Sequence, residues 1–151
     1  MTLYHLQKNK YSTVWPSEGT LFGKGRWNLP GQWIIYTSAT LSLAKLEILA
    51  NEPLVPVERV SVIIEIPDDE KAFEVPLEIL PENWHKIPYP KVLTSYTQQF
   101  LSEGWLVMKV PSAQCFTEFN YLLNVRHPRF NSDVKVQSIN PEPFDSRLKN
   151  N

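Results

Sequence analysis

The sequence predicts an α+β domain with mainly antiparallel sheets and a few helices. Stretches of strand character outnumber stretches of helical character and do not alternate regularly with them, which argues against a parallel array. Only two stretches, 40–51 and 89–103, combine helical length with helical spacing of apolar residues. The chain has 151 residues, 42% hydrophobic and 21% charged, which suits one folded unit over 1–151 with one sizeable core, from about residue 3 to 140.

Thr2 to Leu6 predicts a short first strand, with Leu3 and His5 on one face and Tyr4 and Leu6 on the other. Residues 8–22 are polar, contain Pro16 and Gly19, and read as a loop. Gly23 and Gly25 loosen the backbone just ahead of Arg26. Gln32 to Thr37 is aromatic and β-branched and predicts a strand. Thr40 or Ser42 can cap the next helix, and Pro53 and Pro56 stop it. Arg59 to Ile66 is the clearest strand, with Val60, Val62, Ile64 and Ile66 as its buried face. A turn follows at 67–70.

Residues 72–89 are proline-rich and irregular, with Trp84 as the expected anchor. The second helix, 89–103, is closed by Gly104. Trp105 to Val110 predicts a strand that Pro111 ends. The stretch 112–124, with Phe116, Phe119, Tyr121, Leu122 and Leu123, fits helix and extended chain equally. Asp133 to Ile139 predicts the last strand, and 141–151 is expected to be a mobile tail.

The bulk charge excludes some function classes. A formal net charge of −1 argues against direct nucleic-acid binding. Eleven of the 16 acidic residues lie between Glu47 and Glu103, which gives either a solvated acidic face or a surface for a basic partner. Cys115 is the sole cysteine, so no disulfide or cysteine-rich metal site is expected within the chain. Met1 to Lys10 has no apolar signal core, and no apolar run is long enough to span a membrane. A cytoplasmic location is the expectation.

The residue most in need of explanation is Glu47. At about 100° per residue, Lys45 and Glu52 share one side of their helix, and Glu47 points about 200° away from Lys45. Its neighbours at helical spacing are Leu43, Ala44, Ala50 and Asn51, on the core-facing side. A carboxylate there costs free energy unless it is paired or hydrogen-bonded. It can stabilise a developing cation, as in glycosidic bond cleavage, or serve as a structural carboxylate bonded to backbone or to Tyr36.

Arg26 beside two glycines suits a phosphate, because its planar fork engages two oxygens at once. It is equally an arginine that stacks on Trp27 or pairs with an acid. The segment Gly23–Asn28 is no dinucleotide fingerprint, because a strand follows where a helix is needed, and it is no P-loop. Tyr36, at a strand end, can stack on a planar ligand or pack in the core. Ser112 has no Gly-x-Ser-x-Gly setting, so it is read as positioning a ligand or shaping a turn. None of His5, His85 and His127 has metal-ligand spacing, and Cys115 reads as a small hydrophobe.

Five blocks together resemble the RES domain family, named for an arginine, a glutamate and a serine. They are Gly25-Arg26-Trp27-Asn28, Tyr36-Thr37-Ser38, Leu43-Ala44-Lys45-Leu46-Glu47, Val110-Pro111-Ser112-Ala113, and Asn120-Tyr121-Leu122-Leu123-Asn124 with Arg126-His127-Pro128. They occur in the family's order and span roughly Tyr4 to Phe130. Val125 departs from the pattern, which usually has proline there.

The resemblance implies a toxin of a RES–Xre toxin–antitoxin system, with a fold similar to that of mono-ADP-ribosyltransferases. It implies depletion of cellular NAD by cleavage of the nicotinamide–ribose bond, with water or inorganic phosphate as acceptor. NAD is then the substrate, and no cofactor or metal is expected. The implied partner is an Xre-like antitoxin, with a homodimer compatible with that complex. In this reading Arg26 grips the NAD phosphates, Tyr36 packs against nicotinamide or its ribose, Glu47 steadies the ribose cation, Ser112 positions the sugar or nicotinamide, and Trp27 adds stacking. The rival readings are an ADP-ribosyltransferase with a macromolecular target and a non-catalytic ligand-binding module. Whether Asn124 and His127 join the site is left open.

Overall fold

The computed structural model describes residues 1–150, and all of their side chains except that of Thr20. Seven strands form one sheet: β1 (Thr2–Lys8), β2 (Ile34–Ser38), β3 (Arg59–Glu65), β4 (Ala72–Glu74), β5 (Val107–Pro111), β6 (Phe119–Asn124) and β7 (Lys135–Pro141). Two longer helices, α2 (Leu41–Asn51) and α3 (Val92–Ser102), and two single-turn ones, α1 (Gly19–Phe22) and α4 (Phe130–Asp133), complete the α-helices among the described residues. The sheet order is β4-β5-β6-β2-β1-β3-β7. Every adjacent pair is antiparallel except β4 with β5. The expected α+β class with a mainly antiparallel sheet is what the chain adopts.

Both faces of the central strands are buried. Side chains alternate along a strand, so Ile35, Leu123 and Val107 enter one core with Leu3, Val62, Ile64 and Phe130. Their neighbours Ile34, Leu122 and Met108 enter the other, with Trp27, Trp84, Leu93 and Phe100. The second face of β3 is covered too, since Arg59 and Ser61 are buried alongside Val60, Val62 and Ile64.

The sheet is closely paired everywhere except at one place. β1 pairs with β3 at seven positions, but with β2 at the single pair Tyr4 and Ser38. Backbone groups left without a ladder need other partners. One is supplied by His5, whose Nδ1 lies 2.7 Å from the Tyr36 carbonyl oxygen. A carbonyl only accepts, so Nδ1 carries the hydrogen. Burial holds the imidazole below its usual pKa, against the pull of that hydrogen bond.

Several expectations are revised. The loop at 8–22 contains a short 3₁₀ turn at Asn9–Tyr11 and α1. The irregular stretch 72–89 begins with β4, a three-residue parallel edge strand too short to show a period. The ambiguous stretch 112–124 is extended only in β6. The tail from 141 contacts α2: Lys45 Nζ is 2.7 Å from Glu142 Oε1, donates to the Pro143 carbonyl at 2.9 Å and sits over the Phe144 ring. Asn151, the end of that tail, lies outside the described residues. The acidic run is partly neutralised within the chain, with Glu52 against Arg59, Glu70 against Arg129, and Glu65 and Asp68 against the N-terminal ammonium.

Candidate active site

Where β1 and β2 part, a cavity of about 430 Å³ opens. Its walls are β1 at Tyr4–Leu6, β2 at Tyr36–Ser38, the inner side of α2 and the loop 24–27, with Tyr89, Gln114 and Asn120 at its edges. α2 starts at Thr40, which is extended and whose hydroxyl accepts from the Leu43 N–H at 3.1 Å. The cap fixes the phase of the helix. Leu43 and Ala44 are buried, and Glu47, one turn on, comes to the cavity wall.

The carboxylate of Glu47 is held through one oxygen. Its Oε1 accepts from Ser112 Oγ at 2.7 Å and from Asn120 Nδ2 at 2.6 Å. Its Oε2 makes no hydrogen bond to a described residue. Asn120 is oriented in turn by Ser38, whose hydroxyl donates to Asn120 Oδ1 at 2.7 Å. The amide therefore presents its donor side to the carboxylate and its acceptor side to the hydroxyl. Ser38 and Asn120 face each other across β2 and β6, so the sheet register sets this geometry.

Ser112 follows β5 directly. Its Oγ accepts from the Gln114 and Cys115 N–H groups at 3.0 and 3.2 Å while donating to Glu47. It is fully buried and does not line the cavity. The Ser112 hydroxyl, expected from sequence to meet a sugar or nicotinamide, here meets the Glu47 carboxylate. The cause is the turn at 112–115, which closes over the hydroxyl.

The loop carrying Arg26 is fastened by Tyr36. The Tyr36 hydroxyl donates to Asn28 Oδ1 at 2.7 Å and accepts from the Trp27 N–H at 3.3 Å. Burial pushes this phenol well above its ordinary pKa. Tyr36 thus offers the cavity its ring, and its hydroxyl is engaged elsewhere. A Cβ on Gly25 would stand 2.7 Å from the Tyr36 hydroxyl and 3.0 Å from Asn28 Oδ1, so close approach, rather than backbone freedom alone, demands glycine there. Trp27 is only 3% exposed and packs near Trp84, which leaves little of its ring for stacking on a ligand.

Arg26 is half-buried. Its Nη1 donates to the Trp84 carbonyl at 2.8 Å, and its Cζ lies 4.6 Å from the centre of the Tyr89 ring. Its Nε and Nη2 make no hydrogen bond to a described residue, so donors remain for a ligand. Burial lowers its pKa, opposed by Tyr89, then by Glu47 and Tyr36.

Arg26, Tyr36 and Glu47 therefore share one cavity, with Ser112 behind Glu47. Asn124 and His127 do not line it and border a separate cleft with Trp33 and Arg126. Among the described residues, no three His, Cys, Asp or Glu side chains are grouped to hold a metal ion, and no helix is long and apolar enough to cross a membrane. Asn120, Asn28, His5 and Tyr89 escaped assignment from sequence. Asn120 stood within a resembling block, whereas Tyr89 lay in a proline-rich stretch with no signal of its own.

A model of the RES domain matches residues 2–145. The chain belongs to the RES domain family. It is 33% identical to "Toxin Res" of Yersinia enterocolitica over 99% of this chain and 100% of that one. It is 30% identical to "Toxin Res" of Pseudomonas putida over 86% and 89% of the two chains. In three dimensions this RES domain resembles the crystal structure of the M. tuberculosis MbcT–MbcA toxin–antitoxin complex, with a TM-score of 0.74, 12% identity, and coverage of 93% of this chain and 83% of that one. At that identity the likeness shows a shared fold.

Proposed function

We propose that this RES domain is the toxin of a toxin–antitoxin pair and that it depletes NAD by cleaving the nicotinamide–ribose bond. The observation that carries the proposal is the held carboxylate. Glu47 spends one oxygen on Ser112 and Asn120, its Oε2 makes no hydrogen bond to a described residue, and it lines a cavity with Arg26. Fixing a negative charge before the reaction suits a transition state in which the ribose becomes cationic, because no reorganisation is then needed.

In this reading Arg26 binds the pyrophosphate through Nε and Nη2, and the Tyr36 ring packs against nicotinamide or its ribose. The bond from C1 of the ribose to the pyridinium nitrogen breaks, and nicotinamide leaves neutral with the bonding pair. Glu47 Oε2 stabilises the ribosyl cation. Ser112 and Asn120 position Glu47. Water as acceptor gives ADP-ribose and a proton, and inorganic phosphate gives the 1-phosphate of ADP-ribose. The two "Toxin Res" relatives support the toxin role. The fold neighbour, solved as a toxin–antitoxin complex, supports an antitoxin partner, for which an Xre-like protein is the proposal.

Incubating the protein with labelled NAD, with and without phosphate, tests this. Free nicotinamide together with ADP-ribose or its phosphate adduct is the expected outcome. Label retained on a macromolecule would point to an ADP-ribosyltransferase instead, and undiminished NAD would sink the enzymatic reading.

A further inference from the structure

The catalytic reading leaves unexplained how a long, flexible arginine at the end of a glycine loop keeps a fixed aim. The answer lies in the proline-rich segment between β4 and α3. Because β4 and β5 are parallel, the chain between them must cross over the sheet. The crossover carries Tyr89 to the cavity wall and Trp84 into the core beside Arg26. The Trp84 carbonyl takes one guanidinium hydrogen bond at 2.8 Å, and the Tyr89 ring covers the guanidinium with its centre 4.6 Å from Cζ. Trp84 itself is buried and packs against Trp27 and Phe116, so this carbonyl is rigidly placed. Tyr89 lines the cavity, and its hydroxyl makes no hydrogen bond to a described residue.

We infer that Tyr89 is a positioning residue for diphosphate binding: its ring holds the Arg26 guanidinium flat, so that Nε and Nη2 face a pyrophosphate group in the cavity. This rests on the reading of Arg26 as the phosphate grip. The contact comes from the ring face, so a cation–π attraction acts on the arginine while the hydroxyl is dispensable to it. Losing the ring frees a side chain with several rotatable bonds and lowers affinity for the diphosphate without touching the reacting carbon.

The test compares Tyr89→Leu and Tyr89→Phe with wild type, using ADP binding by calorimetry and NAD turnover on the same preparations, with thermal melting to verify folding. Tyr89→Leu is expected to weaken ADP binding and raise KM for NAD, each about five- to tenfold, with the loss falling on KM rather than kcat. Tyr89→Phe is expected to recover most of that loss. Wild-type affinity in Tyr89→Leu, or a Phe variant as weak as the Leu variant, would overturn the assignment. Wild-type protein that binds ADP but leaves NAD intact would sink the NAD reading while the Tyr89 comparison still decides on ADP alone. Wild-type protein that turns over NAD but binds no ADP would overturn the Tyr89 assignment and leave the NAD reading standing.

Discussion

A single carboxylate oxygen organises the site. Glu47→Gln keeps the shape but loses the charge, and its amide can no longer accept from both donors with equal strength. It is expected to fold with little change in melting temperature and to lower kcat for NAD cleavage by at least about a hundredfold. An unchanged rate would make the carboxylate structural. Ser112→Ala removes one charge-assisted hydrogen bond, worth about 1.5–3 kcal/mol. Because Ser112 is closed off from the cavity, its loss is expected to lower kcat about tenfold with little effect on KM. An effect on KM alone would mean that Ser112 touches substrate after all. Gly25→Ala brings a Cβ to 2.7 Å from the Tyr36 hydroxyl. Overpacking of this kind costs about 1–3 kcal/mol, and the strain falls on the loop that carries Arg26. A lower melting temperature and weaker ADP binding are the expected readouts.

Among the elements, the opened pair β1 and β2 and the capped helix α2 decide the geometry. The single backbone pair between the two strands is supplemented by a neutral imidazole. His5 has its folded pKa lowered from 6.5 by burial, so below pH 6.5 the unfolded chain binds protons that the folded chain refuses. The sign follows: this contribution is fully present above about pH 6.5 and is lost as pH falls towards and through the folded pKa. Melting temperatures between pH 5 and 7.5 should fall on acidification in wild type. They should fall less steeply in His5→Gln, which keeps a donor for the Tyr36 carbonyl and does not titrate. Equal slopes would remove His5 as the cause. On α2, Thr40→Ala removes the cap and is expected to destabilise by about 1 kcal/mol, a melting shift of about 2–4 °C for a chain of this size.

Over the whole molecule, the C-terminal segment returns to the helix that carries Glu47. β1 begins at Thr2, and the segment after β7 runs along the outer side of α2, where Lys45 engages Glu142, Pro143 and Phe144, and Lys149 reaches the Glu52 carbonyl. α2 is thus fixed on its inner side by Ser112 and Asn120 and on its outer side by the C-terminal segment. The helix phase seen in the sequence, with Lys45 and Glu52 together and Glu47 opposite, is the phase this double attachment needs. The sequence likeness to the two relatives extends over 99% and 86% of the chain.

Periodicity in the sequence determined the elements whose environment is one-sided or uniformly apolar: β1, β2, β3, β5 and both longer helices, while the choice of Thr40 over Ser42 as the α2 cap came from the structure. It also singled out Glu47, because a lone charge at a core-facing helical position is visible as a conflict between residue type and phase. The extended form of Phe119–Asn124 was not legible, because Leu122, Leu123 and Asn124 are buried on both faces and show no alternation. β4 was hidden because a three-residue edge strand has no period to read. Only the tertiary structure decided that Ser112 stands behind Glu47, that the Tyr36 hydroxyl is occupied by Asn28 and Trp27, and that Tyr89 covers Arg26. Those partners are separated by 65, 8 and 9, and 63 positions in the chain. Local spacing fixes which way a side chain points along its own element, whereas what it meets there is set by strand order and register.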